Sequence, residues 1–135
     1  MSTITVSTII DADIDKVWKY WNEPEHIEKW AFASNDWEAK NAKNDLTVGG
    51  KFSTTMRAKD GSASFEFGGT YTAIKEYELI EYKMDDGRKV SIEFKPTFAG
   101  THVTETFDPE SENSEEMQKS GWQAILDNFK KHVEA

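Results

Sequence analysis

The C-terminal stretch SGWQAILDNFKKHV, from Ser120 to Val133, constrains the fold of this chain more than any other. At about 100° per residue, Trp122, Ile125, Leu126, Phe129 and Val133 share roughly a third of a helix circumference, opposite Gln123, Asp127 and Lys131. The pattern predicts one long helix with a single broad apolar face. Such a face needs a surface to bury against, and most of the chain between Trp37 and Phe107 alternates as strands do. The expected architecture is a sheet closing on a helix.

At 135 residues the chain is expected to form one domain over residues 1–135, with a core that hides roughly two-thirds of the unfolded surface. Hydrophobic residues make up only 37% of it, but five Trp, eight Phe and four Tyr are large, so the interior is expected to be aromatic. A net charge of −9 opposes binding to phosphate backbones and excludes nucleic acid as an expected partner. It also weakens contact with anionic membranes. Without cysteine there is neither disulfide nor thiol chemistry. The N-terminus lacks the basic segment and apolar run of a signal peptide, and no stretch approaches the ~20 apolar residues of a membrane span. The expectation is a cytoplasmic protein without membrane insertion.

Residues 3–10 alternate as a strand, with Ile4, Val6 and Ile10 on one face. Asp13 is a good helix N-cap, and Ile14, Val17, Trp18 and Trp21 follow at helical spacing. Pro24 ends that helix and suits the first turn of a second one, with Ile27 and Trp30 facing inward. A second strand is expected from Trp37 to Asp45 and a third from Lys51 to Lys59, where Phe52, Thr54 and Met56 share a side. Asp60-Gly61 signals a hairpin. The long run from Ser62 to Tyr77 puts Phe65, Phe67, Tyr71 and Ala73 on one side, and Gly68-Gly69 suggests a bulge or sharp coil within it. Asp85-Asp86-Gly87 joins two further strands, 79–84 and 88–95, with Pro96 closing the latter. The last strand, 101–107, places Val103, Glu105 and Phe107 on one face. Residues 108–114 form an acidic loop, and Asn113 or Ser114 caps the final helix. The order is β-α-α-β6-α: an α+β fold with a curved antiparallel sheet wrapped around the C-terminal helix.

This pattern resembles the START-like or Bet v 1-like helix-grip superfamily, and in detail its branch related to the activator of Hsp90 ATPase. The resemblance is carried by Val17-Trp18 with Pro24-Glu25 and Trp30, then Gly49-Gly50-Lys51-Phe52 and Asp60-Gly61. It continues through Phe67-Gly68-Gly69-Thr70-Tyr71, Asp86-Gly87-Arg88, Gly100 to Thr104, and Gly121-Trp122 with Ile125-Leu126. It implies a cavity between sheet and helix, used across the superfamily for lipids, sterols, polyketides and other apolar molecules; some members are enzymes and others only bind. The Hsp90 activators join this domain to a separate N-terminal one. This chain starts at the first strand, which is an expectation against a chaperone role.

Trp30, Trp37, Phe52, Phe65, Phe67 and Tyr71 are candidates to line an apolar pocket, together with Tyr82, Trp122, Phe129 and Met56; the alternative is that they fill the core. A buried phenol needs a hydrogen-bond partner, which a ligand can supply to Tyr71 or Tyr82. Glu105 shares the inward face of its strand, so it is either a buried carboxyl able to act as an acid or base, paired with Arg57, Arg88 or a lysine, or turned outward by a bulge. His26, His102 and His132 show no ligand spacing, no metal or cofactor is expected, and no nucleophile motif is present. The glycine pairs lack the spacing of a phosphate loop. The run Glu110–Glu116 reads as a solvated loop with the option of gating a cavity.

The function these features indicate is binding of a small hydrophobic molecule, lipid-like, aromatic or polyketide-like, between sheet and helix. The alternatives are an enzyme of the cyclase, dehydratase or hydrolase kind with Glu105 as its proton-transfer group, and a module that contacts an Hsp90-type chaperone. Trp122 is expected to be a buried anchor of the helix, with Trp122→Ala costing ~3–5 kcal/mol.

Overall fold

A computed structural model describes residues 3–135. Strand β1 (Ile4–Ile10) is followed by helices α1 (Ile14–Asn22) and α2 (Pro24–Trp30), then by strands β2 (Trp37–Asn44), β3 (Lys51–Ala58), β4 (Ser64–Lys75), β5 (Leu79–Met84), β6 (Lys89–Thr97) and β7 (Gly100–Phe107), and by α3 (Glu115–Glu134). The strands form one antiparallel sheet in the order β1-β7-β6-β5-β4-β3-β2. It curls into a half-barrel, and α3 lies in its concave side against β1. This is the α+β helix-grip arrangement, with the core between the inward strand faces and the helices.

Alternation sets the inner face of the central strands. Ile80, Tyr82 and Met84 on β5, Val90, Ile92 and Phe94 on β6, and Thr101, Val103, Glu105 and Phe107 on β7 are all buried. Register places Glu105 directly between Ile92 of β6 and Val6 of β1. Ser114 caps α3 by accepting a hydrogen bond from the Met117 amide at 3.1 Å. Asp13 occupies the N-cap of α1, but its side chain makes no capping bond, so that helix starts through the Asp13 carbonyl alone.

Two features depart from the sequence reading. Gly68-Gly69 is not a bulge: both pair in unbroken register with Ser53 and Phe52, and Gly69 also faces Met84. A Cβ at Gly69 would stand 2.6 Å from the Lys83 carbonyl, so glycine is what lets β4 and β5 approach this closely where the sheet coils. The register shift falls instead between Tyr71 and Ala73. It turns Ala73 out of phase and brings Ile74 opposite Ile80 and onto the core.

Pro96 does not end β6, which runs on to Thr97 with Pro96 opposite Thr101. The Phe94 amide bonds the Glu78 carbonyl on the β5 side, so two residues on, the proline nitrogen points the same way, beyond the end of β5. No ladder hydrogen bond is lost there.

Candidate functional site

The concave face does not close completely on α3. A cavity of about 820 Å³ lies between them, floored by β3, β4, β5 and β7 and walled by α2 and the N-terminal half of α3. Its position follows from the curl of the sheet: α3 packs on β1 and on the α1–α2 pair, leaving the far strands uncovered. Phe52, Thr54 and Met56 point in from β3, Phe65, Phe67 and Tyr71 from β4, and Ile80, Tyr82 and Met84 from β5. Trp30, Trp37, Trp122 and Glu105 complete the candidate residues found on its wall.

Phe129 is the exception. It lies under the helix with no exposed surface, against Trp21 and Trp30 at centroid distances of 4.9 and 4.8 Å, and belongs to the core rather than the cavity. Helical periodicity finds the apolar face but does not divide it. The C-terminal part packs on the α1–α2 pair, whereas Trp122 and Ile125, a turn or two earlier, border the space. Trp122 is only half-buried, stacked flat on Phe107 at 3.9 Å.

The floor is a set of rings in mutual contact. Phe52 touches Tyr82 edge-on at 4.7 Å, Tyr71 at 5.2 Å and Phe67 at 5.8 Å. Gly69 sits opposite Phe52 in register and adds no side chain between them. The two phenols differ. Tyr71 donates to Asn44 Oδ1 at 2.6 Å, and Asn44 in turn donates to the Asn22 carbonyl, which ties β4 through β2 to α1. Burial pushes the Tyr71 hydroxyl above its ordinary pKa. Tyr82 is raised as well, first by burial and then by nearby Glu105, and has no protein hydrogen-bond partner among the described residues.

Glu105 is 6% exposed. No hydrogen bond or ion pair among the described residues engages its carboxyl, which faces the cavity from between aliphatic neighbours. Burial alone pushes it up to about 8. The pairing weighed from sequence does not occur: Arg57 is bound to Glu38, and Arg88 holds Asp86 at 2.9 Å.

Sequence reasoning did not find Gln118. This buried glutamine accepts from the Glu110 amide at 2.8 Å and donates to the carbonyls of Glu110 and Asn113, so it clamps the acidic loop onto α3. Glu110, Glu112 and Asn113 thereby become part of the cavity's edge. Helical phase puts Gln118 on the apolar stripe, four, seven and eleven residues before Trp122, Ile125 and Phe129, but says nothing of the loop it holds.

The structure also joins two histidines more than a hundred positions apart. His26 Nδ1 meets His132 Nε2 at 2.9 Å, and Tyr20 stacks on His26 at 3.8 Å, stapling α2 to the end of α3 away from the cavity. Burial, then His26, holds His132 below its usual pKa. His26 also joins Glu23 and Glu25 in a group whose ligand-type atoms lie within 4.8 Å of one another. Its Nδ1 meets His132 and its Nε2 stands 3.7 Å from Glu23, so the ring is already engaged with protein groups. Among the described residues, no helix is long and apolar enough to cross a membrane.

A curled antiparallel sheet, a C-terminal helix in its grip and an aromatic cavity between them define a helix-grip domain. The family model for Activator of Hsp90 ATPase homolog 1-like protein matches residues 11–134, and the chain belongs to that family. The solution structure of the AHSA1-like protein from Aeromonas hydrophila is 45% identical, with a TM-score of 0.92, over 98% of this chain and 92% of that one. A protein from Cytophaga hutchinsonii is 56% identical, with a TM-score of 0.85 and the same coverage. A crystal structure from Chromobacterium violaceum, at 22% identity, shares the fold over 100% of this chain and 99% of that one, with a TM-score of 0.88. No curated protein sequence matches.

Proposed function

We propose that this chain binds a small hydrophobic molecule, lipid-like, aromatic or polyketide-like, in the cavity between the sheet and α3. The family places it among ligand-binding or chaperone-related domains. The observation that favours ligand binding is the space itself: about 820 Å³ bordered by Phe52, Phe67, Tyr82 and Trp122. That size is typical of small-molecule sites, and well-packed interiors do not leave such gaps by default. Burying about 300 Å² of apolar ligand surface contributes ~7 kcal/mol before the costs of association, which supports affinities from micromolar to submillimolar.

A second reading, proton transfer in an enzyme of the cyclase, dehydratase or hydrolase kind, is favoured by Glu105, a cavity carboxyl whose pKa of about 8 suits acid or base work near neutrality. Binding is the simpler reading, because the cavity needs no chemistry to be occupied. The chaperone reading rests on the family's name, and no feature of the cavity serves it.

The test is titration with Nile red, an uncharged dye whose emission rises in apolar surroundings. A saturable, one-to-one increase is expected. It is expected to fall at least ~10-fold in Thr54→Phe, which places a ring on the cavity floor, with the circular dichroism spectrum unchanged. Equal dye binding by a folded Thr54→Phe protein would remove the cavity as the site.

A further inference from the structure

Resting on the reading of the cavity as a binding site, we infer that its preferred occupant is a lipophilic amine, an apolar body carrying one ammonium group that pairs with Glu105. Three independent features lead there. Glu105 is a carboxyl more than nine-tenths buried, aimed into the cavity, with no cation or hydrogen-bond donor of the protein set against it among the described residues. Removing such a group from water is unfavourable unless something completes it, and a ligand cation does so. Next, the space before it is walled by π faces, with Phe52, Phe67, Tyr82 and Trp122 linked ring to ring at 4.7–6.3 Å. Faces of this kind attract alkylammonium groups and do nothing for anions. Third, the loop at the cavity's edge adds Glu110 and Glu112, on a chain of net charge −9, which raises the local concentration of cations.

The basic groups on the wall do not reverse this. Arg88 is held by Asp86, and Lys43 comes from β2, far across the sheet from β7. Beside Glu105 stand Val6 on β1, Ile92 on β6 and Tyr82 on β5; the titratable group among these three is the Tyr82 phenol. A fatty acid would bring a second carboxyl beside Glu105, where no cation stands among the described residues, Lys43 lying at the opposite edge of the sheet.

The pairing carries a proton signature. Free Glu105 holds its proton at neutral pH, and the ammonium ligand arrives charged. The bound pair is carboxylate and ammonium, so the carboxyl proton leaves to buffer. Amine affinity therefore rises with pH, by up to ~10-fold per unit, until about pH 8, where free Glu105 is already ionised.

The experiment is calorimetry of the whole chain with phenylbutylamine, phenylbutanol and phenylbutyrate, which share one apolar body, in two buffers of different ionisation heat. The expected result at about pH 8 is an amine preference over the alcohol of at least ~10-fold, with the carboxylate weakest and about one proton released per amine bound at neutral pH. In Glu105→Gln the preference for the amine and its pH dependence are expected to disappear. If that variant does not fold, proton release by the unaltered protein decides alone. Equal binding of alcohol and amine, or amine binding without proton release, overturns the inference and leaves the cavity reading standing. Failure of all three compounds, together with Nile red, overturns both.

Discussion

Phe129→Ala is expected to lower the free energy of unfolding by ~3–5 kcal/mol, read as a shift of the urea midpoint. The ring has no exposed surface and fills the space where α3 crosses Trp21 and Trp30, so its removal leaves a cavity that neighbours on two other helices cannot jointly collapse into. The loss reaches the site as well. Trp30 is fixed by Phe129, by the bond from its Nε1 to the Tyr20 carbonyl, and by Asn128, which donates to the Trp30 carbonyl at 2.9 Å. Trp122→Ala is expected to cost less, ~1–2 kcal/mol, because Trp122 is half-buried and borders open space. If Trp122→Ala proves the more damaging of the two, α3 is rotated from the position described.

Glu105→Gln is expected to stabilise the protein in alkaline solution and to remove most of the pH dependence that Glu105 imposes. In the folded chain burial raises this carboxyl to about 8 from an ordinary 4.5. Between those values the native state holds a proton that the unfolded chain has released, so stability falls as pH rises. The contribution is complete below about pH 4.5 and lost above about pH 8, a difference on the order of 4–5 kcal/mol. Glutamine has nearly the same shape and no charge to desolvate. Urea denaturation at about pH 5 and about pH 9 is expected to show the parent losing stability between the two, with Glu105→Gln more stable by ~3 kcal/mol or more at the higher pH. Parallel losses in both proteins would mean that the carboxyl is solvated or paired when ionised.

The two variants probe residues that differ in how far the sequence revealed them. Glu105 was legible because a strand has only two sides, so burial of Val103 and Phe107 fixes that of the residue between them. A helix is less decisive. Trp122 and Phe129 lie on one stripe, and only the curvature of the sheet determines that one meets packed helices and the other a cavity. A glycine pair in β4 permits a bulge, but permission is not location. The pair instead allows close strand approach, and the shift two residues later moves Ile74 rather than Ala73 inward. Contacts that depend on chain closure left no local trace. The His26–His132 staple joins side chains 106 residues apart, and neither helix's own sequence points to the other.

The central claim is that the space between sheet and α3 accepts a small hydrophobic molecule, and an amide NMR titration of the labelled protein tests it most directly. Pools of fatty acids, sterols, flavonoid-like aromatics, quinones and aryl-alkyl amines would be added in turn. Saturable shifts confined to the amides of residues 52–56, 65–71, 80–84, 105 and 118–125, with those around Phe129 and the His26–His132 contact still, are the predicted result. No shifts from any pool near its solubility limit, or shifts confined to the outer faces of the strands, would contradict it.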